Sequence, residues 1–415
     1  MNGKLNKNQI IMLIVLAVGC QVIYNLPYLL QTIYALYQEA TGYTNTQMGG
    51  LISIYGICAF GGYFISGLLA DIFSIKKLMV ISLFGVGGLG CVMALLPPYP
   101  VMLAIQVLFA VFSIGLYWTP LVKAISSLGD DSVQGKLFGF WESISGISAL
   151  IVGFGGVAIL GLFTDPLVSF RANVLLRAGL TILIGIITLI AYKEKKLPKE
   201  EKKKNYTAKE VFTVLRLPET WSLIFIILGV YFILSSLTYF APYLMNFGAD
   251  MMVSTVFGNL RSFYPIIGAS IAGILVDKSK TSLKVIMPAM LMLAIAFLTL
   301  IIFPVDNKWL WVVAAICVLI GVVAYGAKGV YYVPIKEAKF PPHLYGVVVG
   351  IVATLGYTPD AFIYILAGRW IDSYQITGYH YIFIFMLVSA LLSFISAFFL
   401  RKRIQKNQGA EIRVN

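Results

Sequence analysis

Three charged side chains stand inside stretches otherwise apolar enough to lie in lipid: Arg261 in FGNLRSFYPIIGASIAGILVD, Lys328 in YGAKGVYY and Asp360 in LGYTPDAF. Arg261 lies 12 residues before Gly273, the end of its apolar run. At 1.5 Å per residue that is about 18 Å, near the centre of a ~30 Å hydrocarbon core. A guanidinium at that depth costs about 2.5–3.5 kcal/mol on insertion scales. It cannot shed the cost by losing its proton, and its planar fork suits a carboxylate or another oxyanion. Two chemistries fit: a structural ion pair with Asp360, or an anion site facing a watery cavity. Two cations against one acid leave a cation over, which favours the anion site. Asp360 then serves as counter-ion in the empty state, or carries a coupling proton if burial raises its pKa. Pro359 is expected to break the helix beside it.

Aromatic and amide side chains accompany these charges. Gln21, Tyr24, Tyr28 and Gln31 recur at i, i+3, i+7 and i+10, one face of a helix. Ser235, Tyr239, Tyr243 and Asn246 repeat the pattern in the second half of the chain. Tyr117 and Tyr331 each stand three residues before a proline, Pro120 and Pro334. A tyrosine gives an apolar wall with one hydrogen-bonding tip, as a small ligand needing both would require; packing is the competing use of such a stripe.

The elements that must position these groups follow from composition. Of the 415 residues, 59% are hydrophobic and 12% charged, with a mean hydropathy of +0.88. A soluble domain carries about 25% charged residues. Apolar runs of bilayer length predict spans at 9–37, 46–70, 78–97, 100–127, 136–163, 171–192, 218–248, 253–276, 281–304, 309–335, 344–368 and 381–400. The runs do not alternate, which excludes an outer-membrane barrel. Of 31 Lys and Arg, counting residues at a span end with the side they adjoin, 25 fall on one side, 3 on the other, and 3, Arg177, Arg261 and Lys328, lie inside spans. The rich side holds both termini and is expected to be cytoplasmic. The net charge of +13 is therefore topological, and nothing reads as a nucleic-acid patch. Cys20, Cys58, Cys91 and Cys317 all lie in spans, so no disulfide framework is expected. The basic, apolar N-terminus reads as a retained first helix.

A charged linker, YKEKKLPKEEKKKNYTAKE, falls near the middle. Around it the chain repeats itself: YNLPYL (Tyr24, Pro27, Tyr28) and YFAPYL (Tyr239, Pro242, Tyr243) lie 215 residues apart, and YWTPLVK and YYVPIK 214 apart. GLLAD (Gly67, Asp71) and GILVD (Gly273, Asp277) lie 206 apart. The predicted organisation is a six-helix bundle over 1–192, a linker over 193–217, a second bundle over 218–400 and a tail over 401–415.

GLLADIFSIKK resembles the signature loop of the major facilitator superfamily through Gly67, Asp71, Lys76 and Lys77, with Ile72 and Ser74 departing from its pattern. GILVDKSKTSLK keeps Gly273, Asp277 and Lys278. YGAKGVYYVPIKEAK followed by GYTPD resembles a group of bacterial porters, and an Arg in the eighth span is similar to the oxalate–formate antiporter and the monocarboxylate porters. The resemblance implies an all-α membrane protein of twelve helices in two pseudo-symmetric bundles, a transporter and not an enzyme. The signature residues would form a conformational latch, with Gly67 permitting close helix approach and Asp71 meeting a helix N-terminus and basic groups.

These readings combine into an expectation of secondary transport of a small organic anion, by proton symport or by exchange. The substrate would meet Arg261, Lys328, Tyr24, Tyr28, Gln31, Tyr117, Tyr239, Tyr243 and Tyr331, with Asp360 as coupling or counter-ion. A neutral sugar or nucleoside is the alternative; a multidrug exporter fits less well. No Walker loop, metal-ligand cluster or nucleophile constellation appears, so neither cofactor nor metal is expected. Partners are the substrate, protons and the lipid bilayer, with the chain a monomer in the inner membrane. Arg171 and Arg177 open the sixth predicted span and are expected to snorkel outward, a cavity role for Arg177 being the alternative. Lys123 and Glu142 are expected to meet headgroups, loops or each other. His343 and His380 are expected at loops or span edges.

Overall fold

Long apolar segments in lipid must satisfy their backbone internally, so they fold as helices. The computed structural model describes residues 7–129, 134–194, 208–341 and 344–414, and among these it holds helices and no strand. Most of the linker, with His343, lies outside the described residues. Among the described residues, eleven helical segments are long and apolar enough to cross a membrane, or twelve if Asn45–Tyr63 and Ile65–Ile72, bent by 47°, count as one span. The last helix runs on from Ile376 to Val414, through the predicted tail.

The sixth span starts earlier than its hydropathy suggests. Asp165 caps it, accepting from the Leu167 and Val168 N–H groups at 2.8 and 3.4 Å, and Pro166 supplies the first-turn φ. The helix is Pro166–Ala191, so Arg177 sits 11 residues, about 16 Å, inside it. It is 1% exposed and does not reach the surface, against expectation. Arg171, one and a half turns nearer the end, is exposed.

Prolines interrupt several spans near mid-depth. Pro265 has no N–H to offer the Arg261 carbonyl, and the eighth span breaks there into Met251–Leu260 and Tyr264–Ser279. Pro359 likewise leaves the Leu355 carbonyl, which the Thr358 hydroxyl takes at 2.8 Å; a 3-10 turn over Thr358–Ala361 follows. The fourth span carries a π-helical segment, Val111–Gly115, before Pro120.

The chain forms two compact units, Met1–Glu201 with Asp250–Ser262, and Lys202–Ala249 with Phe263–Asn415. The exchange of Asp250–Ser262 departs from the division at the linker. Its cause lies in two glycine gaps. A Cβ on Gly258 would stand 2.5 Å from the Thr32 carbonyl oxygen, and one on Gly153 would stand 2.6 Å from Asn259 Oδ1. Without those atoms the Met251–Leu260 helix lies against Leu29–Thr32, Tyr34–Thr41 and Gln134–Leu162.

Candidate functional site

In the first unit the helix break at Tyr24–Leu29 turns one polar face outward. Gln21, Tyr24, Tyr28 and Gln31 are each half-buried, while Leu26, Leu29 and Leu30 beside them are buried. The Tyr24 hydroxyl donates to the Ser113 carbonyl at 3.1 Å, and the Tyr55 hydroxyl shares a hydrogen bond with Ser113 Oγ at 2.9 Å. The π-helical segment thus presents Ser113 to both tyrosines. Tyr28 packs edge-on against Tyr55 with centroids 5.0 Å apart, and Trp118 stands 6.4 Å from Tyr24. Arg261 belongs to this unit. It caps the Met251–Leu260 helix, half-buried, one turn beyond the Gly258 contact with Thr32. The structure therefore brings the helix that ends at Arg261 to the Leu29–Thr32 stretch, which carries Gln31 and follows Tyr28.

The second unit holds a polar cluster of its own. Asp360 accepts hydrogen bonds from the Tyr231 hydroxyl at 2.7 Å and the Ser235 hydroxyl at 3.0 Å. Tyr231 and Ser235 lie one turn apart on the Pro218–Ser236 helix. The Tyr231 ring sits 4.6 Å from that of Tyr357, whose hydroxyl meets those of Tyr331 at 2.9 Å and Tyr332 at 2.8 Å. Four tyrosines, a serine and an acid thus share one network across the broken tenth and eleventh spans. Tyr231, Tyr332 and Tyr357 escaped the sequence reading. Tyrosine in an apolar run resembles packing, and the Tyr231–Asp360 bond joins positions 129 apart. Lys328 is exposed, its Nζ 5.3 Å from the Tyr325 ring centroid.

Three tyrosines expected to line a site are packing groups in this structure. Tyr117 is buried against Gly19, where a Cβ would lie 2.6 Å from its hydroxyl. Tyr239 is fully buried and donates to the Tyr364 carbonyl at 2.8 Å. Tyr243 packs among Phe247, Tyr379 and Phe383. The repeat is not kept here: the seventh span passes through a 3-10 segment, Leu237–Tyr239, and its two tyrosines are buried, whereas Tyr24 and Tyr28 are half-buried. Tyr331 is buried too, yet its hydroxyl reaches the cluster.

At the signature loop, Lys123 forms an ion pair with Asp71. The helix N-terminus behind it is held by Glu194, not by Asp71: the carboxylate accepts from the Ile75 N–H at 2.8 Å and from the Ser74 hydroxyl. Ser74, a departure from the family pattern, also caps the Lys77 N–H at 3.2 Å. The second copy has the same device in Glu337, which accepts from the Thr281 hydroxyl at 2.7 Å and the Ser282 N–H at 2.6 Å. Asp277 and Lys77 are exposed and Lys76 half-buried. Gly67 and Gly273 mediate no close approach here, since a Cβ on either would meet nothing within 4 Å. That role falls to Gly268, where a Cβ would stand 2.1 Å from the Val322 carbonyl oxygen.

The sequence profile of the Major Facilitator Superfamily matches residues 11–364. The chain belongs to that superfamily. It is a multi-pass membrane transporter of the facilitator type, acting on a small molecule. It is similar to the inner membrane protein YqcE of Escherichia coli K12, with 30% identity over 343 residues covering 80% of each chain. Its fold is similar to that of a bacterial homologue of the human lysosomal transporter Spinster, in an inward-facing and unoccupied conformation, with a TM-score of 0.72, 14% identity and coverage of 96% and 98%. The nucleoside transporter NupG gives a TM-score of 0.70 at 13% identity, with coverage of 96% and 99%.

Proposed function

We propose that this facilitator carries a small organic anion across the inner membrane, with Arg261 receiving the anionic group. One observation supports this reading above the others: Gly258, one turn before Arg261, packs on the backbone of Thr32, next to Gln31 and one turn from Tyr28 in sequence. In this reading the guanidinium supplies a fork of donors, and Gln31 with Tyr28 and Tyr24 the amide and aromatic walls, the groups that fix a carboxylate and cover its apolar remainder. Lys328, exposed in the second unit, is the other basic side chain proposed for substrate binding. Asp360, which accepts from two neutral hydroxyls, is the coupling group, either as proton carrier in symport or as counter-charge in exchange. Symport predicts that Asp360→Asn abolishes uphill uptake and keeps exchange; exchange predicts counter-transport without a pH gradient.

The test is a thermal-shift screen of the purified protein with mono- and dicarboxylates, sulfonates, phosphorylated sugars and neutral sugars, followed by uptake into liposomes. Stabilisation by an anion that Arg261→Gln abolishes supports the proposal. Stabilisation by a neutral sugar or nucleoside that Arg261→Gln retains rejects it and supports the second reading. That reading draws on the hydroxyl-rich Tyr231–Tyr357–Tyr331 cluster and on the fold shared with a nucleoside transporter.

A further inference from the structure

Arg177 is the largest polar side chain fully buried among the described residues, and none of its Nε, Nη1 or Nη2 atoms has a hydrogen-bond partner. It stands at mid-depth, as the position of the Asp165–Pro166 cap requires. Gly156 makes room for it: a Cβ there would lie 2.7 Å from Arg177 Nη2 and 2.5 Å from Asn173 Oδ1. Asn173 spends its amide N–H groups on the Gly156 and Ser169 carbonyls at 3.2 and 3.1 Å. Its Oδ1 is buried beside the guanidinium and likewise has no partner. Across the gap the first helix lies at the same level, since Thr181 donates to the Val22 carbonyl and both Leu26 and Ala178 would touch a Cβ on Gly90.

Among the described residues, no carboxylate neutralises this charge. The helices packed most closely on Pro166–Ala191 are Lys7–Asn25, Tyr34–Thr41, Ile75–Met93 and Gln134–Leu162. Their acids are Glu39, which is exposed, and Glu142, 14 residues or about 21 Å along the helix from Gly156. Water could satisfy the orphaned donors but would leave the charge uncompensated, and buried charges are paired.

We infer that Arg177 holds a resident monovalent inorganic anion of about chloride size inside the first unit, contacted by the guanidinium donors and not by Asn173, whose free Oδ1 is itself an acceptor. The surroundings are closed, with Arg177 1% and Asn173 0% exposed, which limits any guest to an ion of one or a few atoms and excludes the organic substrate proposed for Arg261. The ion neutralises a cation that the fold itself leaves alone, and it joins the fifth and sixth spans.

The experiment uses the full-length protein, purified and dialysed into gluconate, then titrated with chloride or bromide at constant ionic strength while its melting temperature is read. A saturable rise on the order of 5 °C is expected, as for a ligand that binds only the folded state. Arg177→Met should abolish the dependence, as should Gly156→Ala, which displaces the guanidinium. Arg261→Gln should keep it, which separates this ion from the substrate site. Identical melting in gluconate and chloride overturns the inference, as does a chloride effect that survives Arg177→Met or disappears in Arg261→Gln. If the Arg177 and Gly156 variants fail to fold, radiolabelled chloride binding to the wild type decides: one saturable site per chain supports the ion, and none overturns it.

Discussion

The Tyr231 hydroxyl donates to the Asp360 carboxylate across 2.7 Å, joining the seventh span to the break in the eleventh. Ser235 adds a second donor at 3.0 Å. Both donors are neutral, so they fix the carboxylate without cancelling its charge. A hydrogen bond to a charged group contributes about 1.5–3 kcal/mol. Tyr231→Phe should therefore keep the protein folded and slow coupled uptake about tenfold or more, with Ser235→Ala weaker. Uptake by both variants at wild-type rate would remove Asp360 from the coupling step.

Arg261→Lys keeps the charge and loses the fork. Binding of the proposed anion should weaken about tenfold, and Arg261→Gln should weaken it about a hundredfold, roughly 1.4 and 2.8 kcal/mol. The ratio between the two variants, measured by thermal shift or calorimetry, is the check. Equal losses would mean that charge alone does not suffice and the fork carries the whole effect.

The Lys123–Asp71 pair has its carboxylate two-thirds exposed. Exposed pairs contribute about 0–1 kcal/mol. Asp71→Asn should hardly move the melting temperature, yet it should change transport if the loop is a latch. The swap Asp71→Lys with Lys123→Asp should restore transport; failure of the swap alongside loss in each single variant would place Asp71 in another role.

Glu194 and Glu337 cap the helices after the two signature copies. Removing a cap costs about 0.5–2 kcal/mol. Glu337→Ala and Glu194→Ala should each lower stability by that amount and increase proteolysis at their loops. Limited proteolysis with mass spectrometry reads the effect site by site.

Gly268→Val should be among the most damaging single changes, because its first side-chain atom would stand 2.1 Å from the Val322 carbonyl oxygen. Overpacking costs about 1–3 kcal/mol and more where backbone is struck. Gly67→Val, by contrast, meets open space and should be tolerated for folding. Expression and melting of the two variants side by side test the contrast.

The spans and the internal repeat were legible because lipid demands long apolar runs, and duplication leaves matched motifs at fixed offsets. Arg261 stood out for the same reason: charge is conspicuous in such a run. The depth of Arg177 was not legible, since hydropathy places the sixth span late and only the Asp165–Pro166 pair marks its true start. The aromatic stripe left Tyr24 and Tyr28 half-buried, as a lining face would be, whereas Tyr239 and Tyr243 went into the core. Sequence spacing assumes an unbroken helix, and both copies are interrupted, one between Asn25 and Leu29 and the other by the 3-10 turn before Phe240. Pairings between distant spans, such as Tyr231 with Asp360 or Lys123 with Asp71, carry no local signal at all.

The Met251–Leu260 helix, although encoded after the linker, completes the N-terminal unit. A gene divided at the linker would thus not yield two autonomous pieces. The upstream product would be born with the backbone at Thr32 and the small-residue surface at Gly153 uncovered, and would fall to quality-control proteases. Co-expression with the downstream product should rescue it, because the missing wall arrives from the other polypeptide.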